Sequence, residues 1–245
     1  MNDSFELISE KALKYRRDIL GFKDEEVIKE YTKPAENAGF CLFVLPLGKI
    51  YKSDQEKGFL LRAREVDFIF INSSNFYCSQ SHTLWHEIYH SIENHDDFEY
   101  DTKDNYRIER EADQFAGCIQ IPPTTLRKLI QKKINENRLY AEEIHMLSLH
   151  FNCHYHTMYM QIKNVFPEFH KTNKYFKNLY YKHDDFKGIT NEKIDEILKL
   201  RRTGNVYISP DVFEVIERNY RNSKINTEKL NELTDLIEEV MKLDE

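Results

Sequence analysis

Ser81-His82-Thr83-Leu84-Trp85-His86-Glu87-Ile88-Tyr89-His90-Ser91-Ile92-Glu93-Asn94-His95 carries the pattern H-E-x-x-H at residues 86–90. The flanks predict a helix. Ser79 or Ser81 can cap its start, and Leu84, Ile88 and Ile92 form an apolar row at i, i+4 and i+8. On such a helix, side chains four apart lie one above the other, so the imidazoles of His86 and His90 can reach one metal ion. Glu87 then points beside the metal, where a carboxylate can take a proton from water.

A chain with ten histidines and many glutamates can show this pattern by chance, so it needs a third ligand. Arg107-Ile108-Glu109-Arg110-Glu111-Ala112-Asp113-Gln114-Phe115-Ala116 reads as a second helix, free of Gly and Pro. Residues 91–108 leave room for a loop and a return across the first helix. At about 100° per residue, Glu109 and Glu111 point to nearly opposite sides, so only one can meet the metal. Asp113 shares a face with Glu109, where it can accept the second N–H of a ligand histidine. Ala112 and Ala116 let the helices approach. Glu109 is therefore favoured over Glu111, giving the two-histidine, one-glutamate set of a catalytic zinc with a position left for water.

H-E-x-x-H followed by E-x-E-A-[ND]-x-F-A, here Glu109 to Ala116, and then by an apolar run into Pro122-Pro123, resembles the ImmA/IrrE family of metallopeptidases over approximately residues 20–165. The spacing of Glu109 and Asp113 is similar to that of thermolysin-like enzymes. The resemblance implies a zincin-like metallopeptidase core, with Glu109 as third zinc ligand and Glu87 as catalytic base. It also implies a substrate class: a DNA-binding transcriptional repressor with a helix-turn-helix, or an antitoxin, often encoded nearby, in a stress response, mobile element or toxin–antitoxin system. Thr83 stands where the family commonly has Thr. Trp85, Ile88 and Tyr89 depart from it, since relatives often have small residues inside the motif, commonly Gly before the second His; that bulk bears on pocket shape.

At 245 residues and 40% hydrophobic content, the chain can bury a core. It has no apolar run of about 18 residues and no basic-then-apolar N-terminal segment, so it reads as cytosolic with no membrane role. Cys41, Cys78, Cys118 and Cys153 are widely spaced and fit reduced thiols better than a disulfide framework. A net charge of −7 argues against nucleic-acid binding by the whole surface.

The remaining segments point to an α+β fold. Residues 3–18 predict a helix stopped at Gly21, and a second helix is expected from Asp24 through Val27, Ile28 and Tyr31 to Gly39. Phe40–Leu45, Phe59–Ala63 and Val66–Asn72 predict a three-stranded sheet ahead of the H-E-x-x-H helix. An edge of that sheet can take a substrate peptide as an added strand, or the sheet can be only a wall for the helices. The run from Glu93 to Asp104 is acidic, either simply solvated or a flank of the cleft that favours a basic substrate. His82 reads as a rim residue. His95 is a surface residue or a donor to the transition state.

After Pro122-Pro123, a helix is expected through Leu126, Leu129 and Ile130, and Ala141–Lys163 has the spacing of a helix-turn-helix about Asn152. One lysine on its second helix is a thin footprint for DNA, so packing is the favoured role. His150, His154 and His156 have no acidic or Cys partner in the right register for a second metal site except Cys153, and such a site is not expected. Residues 1–165 thus read as the metallopeptidase domain, including the helix-turn-helix-like segment at 138–165. Residues 166–245 read as a helical appendage. Its last helix, Thr227–Leu243, carries an apolar stripe that either packs on the core or docks a partner.

The main reading is a zinc endopeptidase. A regulatory binding protein with the same fold and little or no hydrolysis is the alternative, and a DNA-binding regulator through 141–163 is a third. An intact Glu87 favours the enzyme, because a scaffold needs the ligands but not the base.

Overall fold

The computed structural model describes residues 3–47, 56–63, 66–94 and 103–242. Three strands form where alternating and continuous apolar runs predict them: β1 Cys41–Leu45, β2 Gly58–Ala63 and β3 Val66–Asn72. The sheet is four-stranded rather than three-stranded, in the order β2-β3-β1-β4, with β4 at Tyr207–Ile208. β3 runs parallel to β1 and antiparallel to β2, and β4 pairs antiparallel with β1 through Phe43↔Ile208 and Val44↔Tyr207. Two residues are too few to show a period, which is why β4 escapes a reading of the sequence.

Among the described residues, helix α1 spans Asp3–Asp18, α2 Thr32–Asn37, α3 Tyr77–Ile92 and α4 Lys103–Gln120. α3 holds the H-E-x-x-H motif and lies against β2, β3 and α4, while α1 lies against α4. Leu42, Val44, Ile69 and Ile71 from the sheet and Leu84, Trp85 and Ile88 from α3 are fully buried in one core. Each such side chain contributes roughly 1.5–3 kcal/mol by leaving water.

The helix expected from Asp24 to Gly39 is only its last part, Thr32–Asn37. Pro34 fits a first helical turn but not a helix interior, where its ring would clash with the carbonyl four residues back. Upstream, the guanidinium of the fully buried Arg16 takes the carbonyls of Lys23 and Glu26 and, at 2.6 Å, that of Ile119 at the end of α4. The Lys23 and Glu26 carbonyls are thereby committed outside any helix.

Helices α5 Pro123–Asn135, α6 Ala141–His150 and α7 Tyr155–Val165 follow. The turn between α6 and α7 passes through Asn152 in the left-handed region (φ 52°). On α7, Tyr155 and Gln161 are buried, and Gln161 donates to the Ile121 carbonyl at 2.8 Å. That is a packing face against α4.

Packing is continuous across residue 165. Phe166, Phe169, Phe176 and Leu179, on and around the short helices α8 Pro167–Thr172 and α9 Lys174–Leu179, belong to the main core. Beyond α10, Asn191–Leu200, come β4 and the helices α11 Pro210–Arg221 and α12 Thr227–Met241, neither of which has a fully buried residue. Val212, Ile237 and Val240 pack against a small cluster of Leu45, Leu47 and Ile208. No described helix is long and apolar enough to cross a membrane.

Candidate metal centre

α3 starts at Tyr77 with Phe76 at the cap position and no side-chain cap. The seryl caps expected are absent: Ser81 lies inside the helix, where its Oγ accepts from Trp85 Nε1 at 3.1 Å. The first N–H of α3, that of Tyr77, is instead taken by the carbonyl of Arg202 at 2.9 Å. A distant segment therefore satisfies a group that local sequence leaves open.

Further along α3, His86 and His90 bring their Nε2 atoms to 3.1 Å of each other. Glu109 of α4 faces both, its Oε2 3.2 Å from His86 Nε2 and its Oε1 3.4 Å from His90 Nε2. Two imidazole nitrogens and a carboxylate at these spacings match three corners of a tetrahedron with bonds of about 2.0–2.2 Å. Among the described residues, His86, His90 and Glu109 form the group compatible with a metal ion. In the metal-free chain, hydrogen bonds to Asp113 and Glu109 overcome the opposing effect of burial and push the His86 imidazolium up to about 10. A metal ion would take the place of the proton these groups share.

Asp113 stands where the helix-face argument puts it. Its Oδ1 is 3.0 Å from His86 Nδ1, which leaves Nε2 as the ligating nitrogen, and 3.4 Å from Nε2 of His82, the expected rim residue. Glu111 turns to the other side and accepts from the hydroxyl of Tyr89 at 3.2 Å. The bulk in and beside the motif goes the same way: Trp85, Ile88 and Tyr89 are all buried in the core, so they do not fill the site. Glu87 is buried, and desolvation pushes its carboxyl up to about 7, opposed by the His86 charge and by a backbone hydrogen bond from Leu60. His95 and residues 95–102 of the acidic run lie outside the described residues.

β2 holds α3 closely. A Cβ on Gly58 would stand 2.6 Å from Thr83 Cγ2 and 2.7 Å from the Phe70 carbonyl oxygen, so only glycine fits there. At the far end of α3, Arg62 grips Asp67 with two hydrogen bonds of 2.7 and 3.0 Å and donates to the Ser91 carbonyl at 3.0 Å. Ser91 Oγ donates to Asp67 as well. Sequence reasoning missed both contacts; an Arg and an Asp on adjacent strands were the available signal.

The model of the IrrE N-terminal-like domain family, Peptidase_M78, matches residues 37–155, from the end of α2 to the start of α7. Over these residues, a little under half of its length, the chain is similar to the ImmA/IrrE family; the match spans both helices that carry the candidate ligands and ends short of the residue 165 expected from the motifs. The family points to a metallopeptidase-like function. No curated protein and no solved structure matches the chain.

Proposed function

We propose that this chain is a zinc-dependent endopeptidase that cleaves a partner protein. The convergence of His86, His90 and Glu109, with Glu87 buried beside them, is the observation that carries this reading. When bound, zinc supplies Lewis acidity to the scissile carbonyl and to water. His86, His90 and Glu109 hold it, and Asp113 sets the tautomer and orientation of His86. Glu87 accepts the proton of the attacking water and returns it to the leaving amine, a role suited to a carboxyl whose affinity for the proton is near balance at neutral pH. β2 is the edge strand next to Glu87, and an extended peptide added there would be held by main-chain bonds and chosen by its side chains. The partner we infer is a helix-turn-helix repressor or antitoxin encoded nearby, met in the cytoplasm.

The experiment is cleavage of such a neighbour-encoded protein by the zinc-loaded chain. Wild type cuts it. Glu87→Gln, which keeps the shape of the carboxylate without its basicity, retains metal and does not cut. A Gln variant that cuts at the wild-type rate removes Glu87 from the role of base.

The exposed face of α11 and α12, with Phe213, Tyr220, Leu236 and Met241, supports the second reading, a regulatory protein that acts by binding. In that case Glu87→Gln leaves the biological effect intact.

A further inference from the structure

Four of the chain's ten histidines meet far from the metal ligands, where residues 180–205 cross α6 and α7. His145 on α6 hydrogen-bonds the Lys182 carbonyl at 3.3 Å, and its ring lies 5.1 Å from that of Phe186. His156 on α7 hydrogen-bonds the Tyr180 carbonyl at 3.0 Å and stacks on the Tyr180 ring at 4.6 Å. The ring of His156 is 4.7 Å from that of His183 and 5.1 Å from that of His154, which in turn lies 5.9 Å from Phe76 at the start of α3. His183 has its Nδ1 buried without a partner. A cavity lined by Cys78, His145, Cys153, His154, Ile197 and Arg201 lies at the same junction.

The segment so held is the one that caps the metal-bearing helix. Arg202 supplies the carbonyl for Tyr77, and its guanidinium lies 4.4 Å over the Tyr77 ring. Gly204 donates to the Ser73 carbonyl at 2.7 Å, and Asn205 exchanges side-chain hydrogen bonds with Gln80 of α3 at 2.9 and 3.2 Å. We propose that His145, His154 and His156 form an acid-sensitive latch, which fastens residues 180–205 over the start of α3 while neutral and releases them when protonated.

The surroundings oppose a second cation. Arg201 sits within the cluster, over the rings of Phe76 and Phe186. The nearby carboxylates are already engaged: Asp184 by Arg201 and His183, Asp185 by Lys182 and the Lys187 backbone. Cys78 and Cys153 stay neutral thiols, raised by burial. Burial, then the charges of His156, Arg201 and His183, push His154 down to about 4. Burial lowers His145 and His156 as well. A histidine depressed in the fastened state stabilises that state above its ordinary value of about 6.5, and the contribution is lost as pH falls below it.

The test is backbone hydrogen exchange on the full chain at pH 7.5 and pH 5.0, corrected for the intrinsic pH dependence of exchange. Chelator at both values keeps acid release of metal out of the comparison. If His154 alone regains its ordinary pKa on release, protection of the Tyr77 and Gly204 amides falls on the order of 30-fold at pH 5.0. Protection within α1 should hold. His154→Asn keeps a side-chain acceptor for the His156 amide but cannot titrate, and should reduce the loss. Wild-type protection at 77 and 204 that is the same at both pH values overturns the latch whatever the variant does, and so does an undiminished loss in a folded His154→Asn chain.

Discussion

The two ends of the structure use apolar residues in opposite ways. α3 hides most of its surface, including Trp85 just before the H-E-x-x-H motif and Ile88 and Tyr89 within it. α11 and α12 are as amphipathic, yet they hide no residue fully and leave Phe213, Tyr220, Leu236 and Met241 at the surface. Between them, residues 166–209 side with the core: they fill it with phenylalanines, add β4 to the sheet and cap α3. The boundary that matters physically therefore lies near Pro210, well beyond the end of the family domain at 155.

Truncation is the strongest way to break this contrast. A chain ending at Val165 loses the aromatic core residues, β4 and the cap on α3, and should be insoluble or unable to hold metal. One ending at Ser209 should stay folded and bind metal, as circular dichroism and metal analysis would report. If both are soluble and metal-loaded, residues 166–209 are an appendage after all. Point substitutions sharpen the same line by thermal or chemical denaturation. Phe176→Ala, at a fully buried ring, should cost about 3–5 kcal/mol. Gly58→Ala, forced against Thr83 and the Phe70 carbonyl, should cost about 1–3 kcal/mol. Leu236→Ala, at a side chain 55% exposed, should change stability by no more than about 0.5 kcal/mol.

The sequence made the candidate site more legible than the fold around it. Helical spacing puts Glu109 and Glu111 on opposite sides, and Asp113, on the Glu109 side, decides between them, because these residues lie on regular helices whose faces follow from their numbers. The three long strands are equally plain. What stayed hidden depends on distant pairs: the Arg202 carbonyl on Tyr77, the two-residue β4, and the Arg16 guanidinium that draws residues 23–26 out of a helix. None of these leaves a local period. Pro34 was readable and was the local sign that a helix from Asp24 could not continue.

Metal analysis of the full chain and two glutamate variants tests the central claim most directly. Wild type and Glu111→Ala should each carry about one zinc per chain, while Glu109→Ala should retain less than about a tenth of that after dialysis, since it loses one of three protein ligands. Zinc kept by Glu109→Ala and lost by Glu111→Ala would contradict the site as built here.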